Sequence, residues 1–422
     1  MSHAQAAKVK VAILGFGTVG SSVARILGDS KPEGVELTHI FNRNVLRKRV
    51  DWVPSSVTWT ETIEDVLSSP VDVVLELAGG LDPAGDWVKR SLEAGKSVVT
   101  ANKKLIAEHG IALDKLARSK GCHLFYGAAV AGGVPVIPGL QQGLAGDRIT
   151  RIEGILNGTC NFILSKMEDG ADFAPVLKEA QALGYAEADP TEDVGGFDAR
   201  AKLVILSRIA LRADATTSDV PCKSITQIAA IDFAYAREMG CTIRQISRAQ
   251  LRGGEVLATV GPMLIPKASP LAWSRGTENM VLVGGAYGGD VVFSGHGAGG
   301  HPTAVAVISD LLAIVHGSCA IDLPSRKVGV SGDFLLRHYI RFVVKDRPGI
   351  IAQIAGALAE QEINIHAILQ KPGHTKDSLP FVVTVEPCPS SALKRALEKI
   401  ATFDYLLEPT LDLQILEPEA LS

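Results

Sequence analysis

No C-x-x-C pair and no close grouping occurs among the six cysteines of this 422-residue chain, Cys122, Cys160, Cys222, Cys241, Cys319 and Cys388. That spacing argues against a zinc site and against a disulfide framework, and it fits packed, reduced thiols of a cytoplasmic protein. No uninterrupted apolar run approaches the roughly 18 residues needed to cross a bilayer. The opening MSHAQAAKVK lacks the apolar segment of a secretory leader, so no membrane association is expected. Charge of one sign is also scarce. A net charge of −4, with Lys and Arg scattered, leaves no footprint for nucleic acid.

What remains is an ordinary α/β composition. A hydrophobic content of 46% and 42 glycines fit two or three domains with a sizeable core, and a small-molecule enzyme is the reading to test. The first motif meets that expectation. Val9 to Leu14 is a short apolar run of β-formers, followed by Gly15-Phe16-Gly17-Thr18-Val19-Gly20 and the helical stretch SSVARIL. This is the G-x-G-x-x-G fingerprint in its strand, turn and helix context. Gly15 makes the tight turn, Gly17 lets a pyrophosphate approach the backbone, and Gly20 permits close helix packing beneath a favourable helix dipole.

A second strand, Val35 to Phe41, ends at Asn42-Arg43-Asn44, with Arg47, Lys48 and Arg49 close behind. No acid stands there to accept a ribose 2′-hydroxyl, whereas Arg43 can pair with a 2′-phosphate, which favours NADP over NAD. Two further strands are expected at Val71 to Leu75 and Ser97 to Thr100. Ligands of open α/β sheets bind outside the carboxyl ends of strands. Ala78 and Gly79 after the first, and Lys103 after the second, are therefore dinucleotide contacts, with Lys103 towards the nicotinamide and Lys104 towards solvent.

The stretch Leu183 to Leu206 is the densest in chemistry. Glu187, Asp189, Glu192, Asp193 and Asp198 precede an apolar helical run, Leu203 to Leu206, that carries Lys202. If the segment is helical from Phe197, Asp198 and Lys202 share a face. A helix apolar nearly all round is buried, and a lysine buried with it has to be paired or used. By themselves these residues fit either a solvated acid loop with a snorkelling lysine or an ammonium-binding acid cluster with a lysine that donates a proton.

With those motifs in view, the chain resembles the homoserine dehydrogenases over nearly its whole length. The resemblance rests on GFGTVG at 15 to 20, TANKKL at 100 to 105, GGVPVI at 132 to 137, GILNGTCNFIL at 154 to 164, LGYAEADPTEDVGGFDARAKL at 183 to 203, and GHGAGGHPTAVAVISDL at 295 to 311. It implies reversible reduction of L-aspartate 4-semialdehyde to L-homoserine by NAD(P)H, a step towards threonine, methionine and isoleucine. It implies Lys202 as proton donor with Lys103 assisting, Glu187 and Asp193 for the substrate ammonium, and Asp198 orienting the reacting end. Tyr185 and the Asn157-Gly158-Thr159 turn complete the implied substrate contacts. Gly184 matches a cofactor-contacting position. The glycines Gly295, Gly297, Gly299 and Gly300 match a late return of the chain to the nucleotide domain, before a helix expected at Thr303 to Leu312. The family commonly holds a monovalent cation such as sodium with a glutamate where this chain has Gly127. That leaves the carbonyls of Val130, Gly132 and Val134 to line any such site.

After a connection containing Pro324 and Gly332, the pattern from Tyr339 to Leu416 reads βαββαβ, a ferredoxin-like module. With VKDRPGI and NIHAI it resembles an ACT domain. That implies feedback control, by L-threonine, with Gly349 and Asn364 near the effector at a subunit interface; a purely structural or dimerising appendage fits the same pattern. The expected organisation is a Rossmann-type domain over 1–133 with a return near 297–330, an α/β catalytic and dimerisation domain over 134–296, and the ACT module over 337–422, assembled as a homodimer or homotetramer. Two other readings stand beside this one: a different NAD(P)-dependent dehydrogenase of amino or hydroxy acids, and a non-catalytic amino-acid sensor.

Overall fold

The computed structural model describes residues 8–318 and 326–417; Cys319 and Pro324 lie outside them. The chain divides into two compact units. One comprises Met1–Thr150, Ala201–Thr217 and Asn279–Lys327, the other Arg151–Arg200, Ser218–Glu278 and Val328–Ser422.

The first unit is built on a six-stranded sheet with order β3-β2-β1-β4-β5-β6. The strands are β1 (Val9–Leu14), β2 (Val35–Phe41), β3 (Thr58–Thr60), β4 (Val73–Glu76), β5 (Ser97–Thr100) and β6 (Leu124–Phe125). Every pairing is parallel. This is the doubly wound order whose direction reverses between β1 and β4, the place where such sheets bind ligands. β4 and β5 are buried at every residue, as parallel strands covered on both faces must be. The helix Thr18–Ser30 covers one face through Val23, Ala24 and Leu27. Ala304, Val307, Ile308 and Leu311 of the helix Gly300–Val315 join the same core at the three- and four-residue spacing of one helical stripe.

Strand β4 begins two residues later than the sequence pattern suggests. The Asp72 carboxylate accepts a hydrogen bond from the Lys10 amide at 2.7 Å, and regular pairing starts only beyond it, at Val73. The strand then runs on through Glu76, whose side chain is wholly buried.

The second unit carries a sheet in which neighbours are, in order, Ile149–Ile155, Cys241–Arg252, Glu255–Pro266, Leu411–Ile415, Leu335–Val344, Leu379–Pro389 and Ile365–Leu369. The last four, with the helices Ile350–Ala359 and Ser390–Ile400, are the expected βαββαβ module. Its first strand starts at Leu335, four residues before the expected Tyr339. The module is not a bead on a linker. Gln414 and Ile415 pair in parallel with Met263 and Leu264, so its sheet continues the preceding one. One face of the module packs on its own helices through Phe342, Val383 and Leu393. The other contributes Tyr339, Val382, Leu411 and Leu413 to a core shared with Phe162, Ile163 and Ile243. Burial on both faces explains why Leu335–Val344 is buried almost without interruption.

Candidate active site

Two of the three glycines of the dinucleotide cradle stand where the backbone leaves no room for a side chain. Gly15 sits at φ +100°, and a Cβ there would meet the Ala78 backbone at 2.8 Å. A Cβ on Gly20 would fall 2.0 Å from the Gly15 carbonyl oxygen, whereas one on Gly17 would meet nothing within 4 Å. The three glycines thus divide their work: Gly15 turns, Gly20 brings helix and strand together, and Gly17 leaves open space above the start of the helix Thr18–Ser30. No side chain caps that helix, so its first amides and positive dipole end are available to an anion. Phe16 is anchored elsewhere. Its ring is buried against Trp52 and Trp59, with centroids 6.0 and 4.8 Å away, which leaves its backbone as the part a dinucleotide can meet.

Above the switch point lies a cavity of about 420 Å³. Thr18 and Val19 line it from the first turn, Ala78 and Gly79 from the end of β4, Lys103 from the end of β5, and Gly297 and Gly299 from the returning segment; Lys202 completes the wall. The lining fits a dinucleotide: an uncapped helix N-terminus, small residues and the two lysines, with Glu76 and Asn102 also in the wall.

The ends of β4 and β5 are held by a network that the sequence pattern did not single out. Glu76 accepts hydrogen bonds from the amides of Ala78 and Gly79, both at 2.9 Å, and from Thr100 Oγ1 at 2.5 Å. Asn102 caps the helix Lys103–Ser119 by accepting from the Leu105 amide at 3.2 Å, and its amide nitrogen donates to the Gly80 carbonyl at 2.5 Å. Glu76 therefore shapes the Ala78–Gly79 turn, and Asn102 fixes where Lys103 begins its helix. The signal available for Glu76 was an acid closing an apolar parallel strand, where a charge is costly unless several donors meet it.

The acid cluster lies in the second unit and centres on Asn157. Its side-chain oxygen caps the helix Gly158–Glu168 through the Cys160 amide at 2.8 Å. Its side-chain nitrogen donates to Asp193 Oδ1 at 2.7 Å and Asp198 Oδ2 at 2.9 Å. One amide thus holds two carboxylates together from positions 36 and 41 residues away. Thr159 Oγ1 donates to the Tyr185 carbonyl at 2.6 Å, tying the start of the same helix to the loop. The Tyr185 ring packs edge-on against Phe162, 5.2 Å between centroids, yet the residue is 45% exposed. Gly184, at φ +75°, turns the chain out of the helix Phe173–Ala182.

Not every acid of the loop is placed alike. Asp189 accepts from both the amide and the hydroxyl of Thr191, at 3.1 and 2.6 Å, and so shapes the loop. Those bonds hold its carboxyl below the usual range. Glu187 is exposed on the same loop, whereas Asp198 is buried. The helix runs from Phe197 to Ala210 as expected, and Asp198 and Lys202, one turn apart, are only 5% and 9% exposed.

The other expected residues differ in exposure. Arg43 is exposed just beyond β2, beside Asn44, which caps the short helix Val45–Lys48 through the Arg47 amide at 3.2 Å. Val130 is fully buried, Ala131 and Gly132 take successive left-handed conformations (φ 56° and 50°), and the Val134 carbonyl accepts from the Val136 amide at 2.8 Å. Among the described residues no group of three or more His, Cys, Asp or Glu side chains forms a metal cluster. Gly349 (φ +95°) precedes the helix Ile350–Ala359, and Asn364 donates to Glu386 Oε2 at 3.1 Å; both are exposed. The five described cysteines are free thiols, and no helix among the described residues is long and apolar enough to cross a membrane.

Comparison with known proteins agrees with this architecture segment by segment. The family described as homoserine dehydrogenase, NAD binding domain, matches residues 15–127; homoserine dehydrogenase matches 135–312; and ACT domain matches 338–402. The homoserine dehydrogenase of Bacillus subtilis is 36% identical over 402 residues, covering 89% of this chain and 91% of that protein. That of Mycobacterium tuberculosis is 38% identical over 422 residues, covering 94% and 95%. A crystal structure of a homoserine dehydrogenase from Thiobacillus denitrificans superposes with a TM-score of 0.89 at 34% identity, covering 97% of this chain and 98% of that one. A hyperthermophilic archaeal homoserine dehydrogenase in complex with NADPH is more distant, with a TM-score of 0.63 at 27% identity, covering 74% of this chain and 98% of that one. With relatives of this identity along nearly its full length, a parallel dinucleotide-binding sheet and a βαββαβ module at its end, the chain belongs to the homoserine dehydrogenase family, oxidoreductases with an NAD-binding domain, in the form that carries a C-terminal ACT domain.

Proposed function

We propose that this protein interconverts L-homoserine and L-aspartate 4-semialdehyde with NADP in preference to NAD, on the route to threonine, methionine and isoleucine, and that L-threonine inhibits it through the ACT module. The observation that carries the reading is the presence of Lys103 and Lys202 in the wall of the dinucleotide cavity. When bound, the reduced nicotinamide supplies the hydride. As the aldehyde carbon gains that hydride its oxygen gains an electron pair. The Lys202 ammonium gives that oxygen a proton, and in the oxidative direction the neutral amine takes it back. Lys103 adds positive charge beside the developing alkoxide.

The acid cluster supplies substrate recognition. Asp193 and Glu187 meet the substrate ammonium, and Asp198 orients Lys202 and the reacting end. The Asn157-Gly158-Thr159 turn offers donors to the carboxylate, with Tyr185 flanking the substrate and Gly184 the cofactor. Arg43 pairs with the 2′-phosphate of NADP; its exposure and the absence of an acid at the end of β2 support this. A relative named as a complex with NADPH supports the same preference. The carbonyls of Val130, Gly132 and Val134 line the site for a monovalent cation, and Gly349 and Asn364 border the effector site. The protein works in the cytoplasm as a homodimer or homotetramer, with domains over 1–133 and 297–330, 134–296 and 337–422.

The test is oxidation of L-homoserine by the purified protein, followed at 340 nm with NADP and then NAD, with and without L-threonine. Homoserine-dependent reduction, faster at low NADP than at low NAD and suppressed by threonine, is the expected result. No reduction with either cofactor removes the reaction assigned here. Reduction indifferent to threonine removes the regulatory part alone.

A further inference from the structure

We infer that Asp310 is a positioning residue for the dinucleotide cavity, acting by filling the space that a side chain at Gly127 would occupy. The Gly127 amide donates to Asp310 Oδ2 at 2.7 Å across 183 residues of sequence. A Cβ built at position 127 would lie 2.8 and 3.0 Å from the two carboxylate oxygens. The shorter of these contacts is closer than real Cβ atoms show, so a side chain at 127 requires the carboxylate to shift.

The two partners stand at the roots of two walls of the cavity. Gly127 opens the turn that leads to Ala128, Ala129, Ala131 and Gly132, all in the wall; Asp310 lies on the helix whose first turn contributes Gly300 and Thr303. Closer to the cavity the same two segments approach closely. A Cβ on Gly132 would meet the Gly297 carbonyl at 2.5 Å, one on Gly133 would meet Pro302 at 2.9 Å, and the Gly133 amide donates to the His296 carbonyl at 3.2 Å. Backbone and the Pro302 ring make those contacts. Asp310 is the carboxyl of the seam, buried to 7% exposure, and it has Gly127 as its amide donor. Its far side borders a separate cavity of about 390 Å³ lined by Tyr126, Gln141 and Ser309. Glycine at 127 and a carboxylate at 310 are therefore a matched pair that sets the spacing of the walls.

The pairing makes a reciprocal prediction. Gly127→Ala in the otherwise unaltered protein pushes the walls apart and weakens NADPH, measured by quenching of nicotinamide fluorescence, about tenfold or more, as sub-ångström to ångström misplacements do. In an Asp310→Ala background the same Gly127→Ala change is tolerated, because the methyl enters the emptied space. Asp310→Ala alone weakens NADPH, and Asp310→Asn, which keeps an acceptor for the Gly127 amide, restores it. Equal damage from Gly127→Ala with and without Asp310 overturns the proposal, as does unaltered NADPH affinity in both single variants. Should Asp310→Ala fail to fold, Asp310→Asn combined with Gly127→Ala decides: retention of the Gly127→Ala defect is expected, and its disappearance overturns the proposal. The readout is binding and needs no substrate, so it stands apart from the reaction assigned above.

Discussion

Asn157 donates to Asp198 at 2.9 Å while the same side-chain nitrogen serves Asp193 and its oxygen caps a helix. Three duties on one side chain make its substitutions separable. Asn157→Ala loses the cap, at about 1 kcal/mol, and leaves two neighbouring carboxylates without the donor that holds them together.

Asn157→Asp keeps a capping oxygen and adds a third acid to the pair, so repulsion replaces the shared hydrogen bond. We expect homoserine kcat/KM to fall at least about tenfold in both variants, with the cap lost only in Ala. Thermal unfolding and steady-state kinetics on the two proteins check this. A fully active Asp variant would remove Asn157 from the organisation of the cluster.

Lys202→Ala should cut turnover by about 10²- to 10⁴-fold, the range for loss of a general acid, while NADPH affinity stays within about threefold. Lys202 is one residue among many in the cavity wall, so under the proposed role its loss should fall on proton transfer more than on cofactor binding. Single-turnover absorbance at 340 nm together with a direct NADPH titration separates the two effects.

Arg43→Ala should weaken NADPH and leave NADH unaffected. A charge-assisted bond to phosphate contributes about 1.5–3 kcal/mol, or roughly 10- to 100-fold in affinity. Titration of both cofactors against the variant checks it, and equal loss for the two removes the 2′-phosphate assignment.

How much of this was legible follows from how far apart the partners lie. The glycines at 15 and 20 could be read directly, because the positive φ of one and the close approach at the other are local demands that favour glycine, and Gly17 because it keeps space open beside the helix start. Helix Phe197–Ala210 was equally plain, since its burial is written as a continuous apolar run. Glu76 was not legible: its role depends on donors from Ala78, Gly79 and Thr100, and Thr100 belongs to a different strand. Asp189 looked like a member of the acid cluster, but its bonds to Thr191 show it shaping the loop. The Asp310–Gly127 pair and the continuation of the ACT sheet into Glu255–Pro266 depend wholly on tertiary register, which no window of sequence contains.

Asp310 also carries a pH prediction. Burial raises its carboxyl to about 7, against the Gly127 hydrogen bond that opposes the shift. Tyr126, itself pushed up to about 12 by burial, and His316 border the same cavity. A pKa raised in the native state means that the folded protein holds the proton more tightly than the unfolded chain. Asp310 therefore contributes stability that is full below about pH 4 and is lost as pH rises towards 7. The loss is of order 4 kcal/mol at most. Asp310→Asn should flatten this part of the stability profile and become the more stable protein near pH 8. Urea unfolding of both proteins between pH 5 and pH 8 checks it, and parallel profiles would place the carboxyl in an ordinary range.

The ACT module is held to its neighbour by a buried ion pair whose loss should be costly. Asp232 is fully buried, and burial raises its pKa against the opposing influence of Arg341, whose Nε lies 2.8 Å from Oδ1. Tyr339 Oη donates to the same carboxylate at 2.7 Å, and the Ala229 amide donates at 2.8 Å. Removing the guanidinium alone leaves a buried carboxylate without its counter-charge, so Arg341→Met should destabilise by about 3–5 kcal/mol. Asp232→Asn in the Arg341→Met background retains an acceptor for Tyr339 and carries no charge, and should recover more than half of that loss. Since Arg341 and Tyr339 belong to the module's first strand and Asp232 to the helix Ala230–Glu238, the same double-mutant cycle measures how firmly the module is joined. Additive single effects would mean that the pair contributes no coupling to that junction.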